Sequence, residues 1–257
     1  MEYLLYALLD LWRIRRPDPA RVRWLGQATY AHRGLHGRGL IENSPSAFAA
    51  AIERGLGIEC DVQRTADDQA LVFHDFDLDR LTGAKGPVID RSAAQIATIH
   101  LAGTAEAPPL LHALLRAIDG RVPLLIELKS RKDLRIAPLC LAVRRVLEGY
   151  RGPVAVMSFD PKVASWFGRH SRHVVRGLVV SEEKRRTPWG RLTTRITIWL
   201  AQPDFLAWDV RDLPSRVATR YRKRGLPLLT WTVRDAASRD TAARLADAPI
   251  AEGAGLA

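Results

Sequence analysis

The sequence predicts an α/β domain built as a (β/α)8 TIM barrel. Three observations point there. The chain has 257 residues, 47% of them hydrophobic, close to the roughly 250 that one such barrel typically needs. From Arg121 onward, short apolar runs rich in β-branched residues alternate with helical ones, the rhythm of a parallel sheet with crossover helices. Carboxylates and histidines gather where strand runs end, which is where barrels of this kind carry their chemistry.

Taken in order, residues 1–26 read as an N-terminal helix and linker, and residues 27–257 as the barrel. The apolar run 3–9 is broken by Asp10, too short to span a bilayer. Glu2 precedes it and Arg13, Arg15 and Arg16 follow it, the wrong order for a signal peptide. A helix packed on the barrel floor is preferred to an interfacial helix with Trp12 at the headgroups. The first strand, 28–34, ends on His32-Arg33. Glu42-Asn43-Ser44-Pro45 opens a helix, with Asn43 or Ser44 as cap and Pro45 in the first turn. Phe48, Ala51 and Ile52 form its apolar stripe, and Gly55 stops it. The second strand holds Glu59 and Asp61, and a turn at 65–69 returns the chain as a hairpin strand at 70–74. Residues 76–112, with Gly83, Gly86, Pro87, Gly103, Pro108 and Pro109, fit no barrel unit and read as a small insertion with a short helix near 92–96. Strands follow at 122–129, 153–159, 174–180, 205–210 and 227–233, and an eighth, short strand near 249–251. Helices are expected at 136–147, 161–169, 191–200, 215–224 and 236–245.

The formal net charge is +11, from 39 Lys+Arg against 28 Asp+Glu. That favours anionic partners such as phosphodiesters or acidic lipid headgroups. The arginines are spread along the chain and form no basic tail, so no nucleic-acid partner is expected. Two cysteines, Cys60 and Cys140, make no disulfide framework and suggest a reducing cytoplasm. The segment 184–200 is basic and amphipathic, with Trp189, Leu192, Ile196, Trp199 and Leu200 at helical spacing. The preferred reading is an ordinary barrel helix with that stripe on the sheet. Together with the charge and the N-terminus, however, it also suggests peripheral docking at the anionic inner face of a membrane.

The chemistry concentrates between His32 and Asp75. Residues i and i+2 of a strand share a face, so Glu59 and Asp61 project together while Ile58, Cys60 and Val62 project oppositely. Glu127 and Lys129 share a face in the same way. Charges in so apolar a run are costly unless paired or used, and a salt bridge accounts for Glu127 and Lys129 as readily as a site does. Three carboxylates make an oxygen-only site, which selects Mg²⁺ or Ca²⁺ (or Mn²⁺) over Zn²⁺.

The chain resembles the glycerophosphodiester phosphodiesterases. The likeness rests on His32-Arg33-Gly34, Glu42-Asn43-Ser44, Glu59-x-Asp61 and His74-Asp75 with Leu78-x-Arg80-x-Thr82-Gly83. It continues through Ile126-Glu127-Leu128-Lys129, Ser158-Phe159 and Trp231-Thr232-Val233. It implies metal-dependent hydrolysis of glycerophosphodiesters to glycerol 3-phosphate and an alcohol on a (β/α)8 barrel, with Glu59, Asp61 and Glu127 as metal ligands. Phosphodiester hydrolysis needs charge neutralisation, supplied by the cation with Arg33 and Lys129. It also needs a base and an acid, for which histidine is suited; His32 and His74 are the expected pair. Glu42 orients Arg33 or a histidine, or simply starts a helix. Trp231 matches a position near the substrate glycerol, with barrel core as the competing reading. His36, His100, His112, His170 and His173 read as surface or satisfied residues. The chain departs from the family at 246–253, which lacks the usual Gly-Val-Asp-Gly strand with its Thr-Asp. A lysophospholipase D or sphingomyelinase D type of enzyme is the alternative. A non-catalytic anion-binding barrel is further off, because both histidines and all three carboxylates are present.

Overall fold

The computed structural model describes residues 14–37, 39–131, 133–183 and 187–257. The apolar run and Trp12 of the expected N-terminal helix, and Lys184-Arg185-Arg186 of the basic stretch, lie outside the described residues. In chain order the elements are α1 (Pro19–Val22), β1 (Tyr30–Ala31), α2 (Pro45–Glu53), β2 (Gly57–Arg64), β3 (Ala70–Val72), α3 (Ala93–Ile96) and α4 (Leu111–Ile118). Then come β4 (Leu124–Leu128), α5 (Ile136–Leu147), β5 (Val154–Ser158), α6 (Pro161–His170), β6 (Val175–Val180) and α7 (Pro188–Ala201). The chain ends with β7 (Phe205–Asp209), α8 (Arg216–Lys223), β8 (Leu228–Val233), α9 (Ala236–Leu245) and β9 (Ala248–Ala251).

Eight of these strands close a parallel barrel. β1 pairs on one side with β2, Tyr30 opposite Gly57, and on the other with β9, Tyr30 opposite Ile250. The remaining neighbours run β2, β4, β5, β6, β7, β8, β9, all parallel. β3 is an antiparallel addition to β2, the expected hairpin. β1 is far shorter than the predicted first strand. A 3-10 turn (Arg23–Gln27) precedes it, and Arg33 and Gly34 turn the chain away with φ of 56° and 80°.

Strand alternation sorts the core into two layers. Leu125, Ala155, Met157, Val179, Phe205, Ala207, Leu229 and Ile250 fill the barrel interior. Their neighbours Ile126, Val156, Leu178, Leu206 and Leu228 pack outward against the helices. Ile58, Cys60 and Val62 belong to that outer layer, so Glu59 and Asp61 point inward. Interior space is tight: a Cβ on Gly177 would stand 2.3 Å from the Phe205 ring.

Two expectations need correction. No helix is predicted at 111–118, yet α4 is there, burying Leu111, Leu114, Leu115 and Ile118; their i, i+3, i+4, i+7 spacing lay inside a stretch read as insertion and loop. The larger error concerns α7. Its buried residues are Gly190, Thr194, Ile198 and Ala201, and of the apolar stripe expected on the sheet Trp189, Ile196, Trp199 and Leu200 are exposed, Trp189 by 72%. α7 also begins earlier than predicted, because the Thr187 hydroxyl accepts from the Gly190 N–H at 3.0 Å and Pro188 suits the first turn.

Residues 76–110 carry no barrel strand and hold a small apolar cluster of Leu78, Val88, Ile96 and Leu101 with Leu71 and Phe73. This segment is tied down beside the barrel mouth. Glu106 accepts from the Ser46 amide and hydroxyl at 3.0 and 2.7 Å, and Arg80 reaches Glu42 at 2.6 Å.

Candidate active site

The C-terminal ends of β1, β2, β4, β8 and β9 bring the predicted residues together. Register does the first part: Asp61 on β2 lies directly beside Glu127 on β4. With Glu59 one turn of the pleat earlier, the three residues offer carboxylate oxygens that all lie within 4.8 Å of one another. Glu59 is 1% and Asp61 2% exposed, while the Glu127 side chain keeps 12% exposure at the mouth.

Two cations accompany them. Lys129 Nζ is 3.0 Å from Glu127 and 3.4 Å from Asp61. Arg33 Nε is 3.1 Å from Asp61, and another of its nitrogens donates to Glu42 at 2.8 Å. The Arg33 amide donates to Glu59 at 3.0 Å, a bond that its left-handed backbone makes possible. Asn43, also left-handed at φ 56°, donates from its amide side chain to Asp61 at 3.1 Å and accepts from the Asp61 N–H at 3.3 Å. Non-glycine residues in this region of backbone space mark sites where the surroundings impose the conformation.

Burial and mutual repulsion with Asp61 and Glu127 push the Glu59 carboxyl well above the usual range. Glu127 is also raised, by burial, although Lys129 opposes the shift. Burial would raise Asp61 too, but Lys129, Arg33 and His74 outweigh it and hold Asp61 low. The all-oxygen donor set fits Mg²⁺ or Ca²⁺.

Each histidine is aimed by a carboxylate. His32 Nδ1 lies 2.5 Å from Glu252 Oε2, which leaves Nε2 facing inward, 4.0 Å from Glu59. His74 Nδ1 lies 2.7 Å from Asp75, and its ring is near enough to Asp61 and Glu127 to favour their charged forms. Asp75 is held by Arg80 at 2.5 Å. A continuous polar chain therefore runs from His74 through Asp75, Arg80, Glu42 and Arg33 to Asp61. The Gln63 side chain donates to the carbonyls of Phe73, at 3.0 Å, and His74, at 3.1 Å, fixing the backbone that carries the second histidine.

Glu252 is the residue that sequence reasoning missed. It follows β9 directly and gathers His32, His36 at 3.3 Å and Arg234 at 2.6 Å. Burial would raise its carboxyl, but hydrogen bonds from His32, His36 and Arg234 hold it far below the usual range. His36, read as peripheral, is thus drawn to the site's edge. The available signal was position alone, a carboxylate at the end of the last barrel strand.

Trp231 packs in the barrel and also reaches the mouth. Its indole N–H donates to the Ala207 carbonyl at 3.0 Å and its body packs on the barrel interior, while its ring meets Phe159 edge-on at 5.3 Å. Phe159 is 47% exposed. A groove of about 1000 Å³ beside it is lined by Phe76, Glu127, Lys129, Ser158 and Phe159.

The closed barrel thus carries an acidic, histidine-flanked mouth. The model of the glycerophosphoryl diester phosphodiesterase family matches residues 32–251. The chain belongs to that family. It is similar to the Bacillus subtilis protein YqiK, which is described as uncharacterized, with 43% identity over 164 residues, 60% of this chain and 66% of that protein. It is 32% identical over 112 residues to the glycerophosphodiester phosphodiesterase of Bacillus altitudinis, covering 41% of this chain and 45% of that one. The match therefore spans under two thirds of either relative's length. Its fold is similar to that of an Oleispira antarctica phosphodiesterase solved in complex with the product sn-glycerol-3-phosphate. The TM-score is 0.73 and the identity 21%, over 87% of this chain and 92% of that one.

Proposed function

We propose that this protein hydrolyses glycerophosphodiesters to glycerol 3-phosphate and an alcohol, using a divalent cation and two-histidine acid–base chemistry. The observation that carries the reading is the three carboxylates within 4.8 Å of one another, flanked by two histidines each oriented by its own carboxylate. Glu59, Asp61 and Glu127 would hold Mg²⁺ or Ca²⁺. The bound ion would supply Lewis-acid stabilisation of negative charge on the phosphoryl oxygens.

The chain's own residues do the rest. Arg33 and Lys129 neutralise phosphate charge and orient the ester. One imidazole of the His32 and His74 pair accepts the proton of the attacking oxygen, and the other protonates the departing alkoxide. Glu252 and Asp75 fix the ring orientations. Trp231 and Phe159 form an apolar wall at the mouth for the carbon skeleton of the substrate. Both cysteines are free and buried, which fits a reducing compartment such as the cytoplasm.

The same chemistry on lysophospholipids is a second reading, favoured by the Phe76 and Phe159 side chains that line the groove next to Glu127. The deciding experiment is choline release from glycerophosphocholine and from a lysophosphatidylcholine, before and after EDTA. Faster turnover of the soluble diester, abolished by EDTA and restored by Mg²⁺ or Ca²⁺, is expected. Full activity after exhaustive chelation would end the metal-dependent reading, and turnover of the lysolipid alone would favour the second.

A further inference from the structure

α7 is built the wrong way round for a helix that only serves the barrel. Its inner face is made of Gly190, Thr194, Ile198 and Ala201, mostly small side chains. Its outer face carries Trp189, 72% exposed, Ile196, 45%, and Leu200, 51%. At about 100° per residue these three fall within roughly 40° of one another, on the side opposite the buried set. Seven large apolar side chains are exposed by a third or more among the described residues, and four of them, Trp199 included, lie on this one helix. Single exposed apolar residues need no explanation, whereas a contiguous stripe marks an interaction surface.

The charge around the stripe says what it meets. α7 holds no acidic residue, and its Arg191 and Arg195 lie about 160° and 120° round the helix from the stripe, so the charge that accompanies the stripe is at its ends. The sequence just before it is Glu182-Glu183-Lys184-Arg185-Arg186, in which Glu182 is buried against Ser215 and Glu183 lies 3.9 Å from Arg211. At its far end the Arg15 N–H reaches the Gln202 side chain at 3.4 Å, which sets the exposed Arg15 and Arg16 beside the helix C-terminus. No helix among the described residues is long and apolar enough to cross a membrane. An apolar stripe with a tryptophan, basic residues at both ends and no acid within the helix suits a helix lying in the headgroup layer of an anionic bilayer.

We propose that the outward face of α7 is a membrane-docking surface that takes an anionic phospholipid bilayer. Trp189, Ile196 and Leu200 enter the boundary between headgroups and acyl chains, and the basic residues at the two ends of the helix contact acidic headgroups. A barrel helix starts at the end where the preceding strand finishes, so the first turn of α7, with Trp189, lies at the rim that carries the site. Docking on this face sets the barrel on its side with its mouth at the membrane edge. The inference does not depend on the reaction assigned to the site.

The test is co-sedimentation of the full chain with vesicles of phosphatidylglycerol and phosphatidylcholine, beside vesicles of phosphatidylcholine alone, at low and high salt. The wild type is expected to bind the anionic vesicles at low salt and to release them as salt rises. The triple variant Trp189→Ser, Ile196→Ser, Leu200→Ser is expected to bind at least tenfold more weakly with an unchanged thermal midpoint. The three single variants carry the test if the triple variant unfolds. Absence of vesicle binding at low salt, or equal binding by the variants, overturns the proposal. So does light scattering that shows a dimer dispersed by the triple variant, because a second copy of the chain would then own the face. Deletion of residues 1–13 that abolishes binding while the triple variant binds normally overturns it too, in favour of the N-terminal segment.

Discussion

His32 shows how much one residue's role depends on its neighbour. An imidazole can present either nitrogen, and the carboxylate that takes one decides which remains for chemistry. Glu252 takes Nδ1 at 2.5 Å, so Nε2 faces Glu59. If this orientation matters, Glu252→Ala should lower kcat about 10- to 100-fold, short of the roughly 10²–10⁴-fold expected for His32→Ala or His74→Ala. Glu252→Asp should recover part of the loss, which a purely structural role would not predict. Steady-state kinetics on glycerophosphocholine decides it: unchanged kcat in Glu252→Ala removes the positioning role, and near-normal kcat in His74→Ala removes the acid–base pair. His32, His74, Arg33, Glu59, Asp61, Glu127 and Lys129 were legible because their spacing along strands and in short motifs encodes the face they share. Glu252 was not, because its meeting with His32 spans 220 residues and comes only from barrel closure.

At the scale of elements, β2 does two tasks with one alternation. Its outward residues Ile58, Cys60 and Val62 join the apolar layer under the helices, and its inward residues Glu59 and Asp61 make the site. The turn after β1 is the other decisive piece. Gly34 sits at φ 80°, and a Cβ there would come within 3.0 Å of the Ala47 backbone and of Phe48. Gly34→Ala should therefore cost roughly 1–3 kcal/mol in denaturant unfolding and lower kcat as well, since the same turn aims the Arg33 amide at Glu59. A variant with wild-type stability and activity would show that the turn tolerates both strain and crowding. Element types were readable from periodicity, and α5 and α9 match their expected spans residue for residue. Facing was harder. α7 has an apolar stripe that periodicity finds, but periodicity cannot say whether the stripe or the small residues opposite it meet the sheet. In the fold the small residues Gly190 and Ala201 are the buried ones.

For the whole molecule, the site and barrel closure share residues, so a cation held at the proposed site would be linked to global stability. The Glu59 and Glu127 carboxyls titrate higher in the folded protein than in the unfolded chain. Without a cation, the folded state holds more protons as pH climbs out of the ordinary carboxylate range. Stability from these two groups is thus fully present at acid pH and lost as pH rises through their folded values. Asp61 is held low and acts oppositely, contributing above the ordinary range and losing its contribution in acid. A divalent cation held by Glu59, Asp61 and Glu127 would take the place of the protons on Glu59 and Glu127 and relieve the repulsion among the three groups. The metal-free protein should accordingly lose thermal stability as pH rises above the ordinary carboxylate range, and the gap between loaded and metal-free protein should widen over the same interval. At a free concentration of about 100 times Kd, binding is worth about 2.7 kcal/mol, a rise of roughly 5–10 °C for a domain of this size. Glu59→Gln removes one repelling charge with little change in shape. It should raise the metal-free midpoint at neutral pH and flatten the response to added Mg²⁺ or Ca²⁺. Differential scanning calorimetry of both proteins, with and without cation, across that pH interval is the check. A wild-type midpoint indifferent to cation at every pH would mean that the three carboxylates are balanced by Arg33 and Lys129 alone.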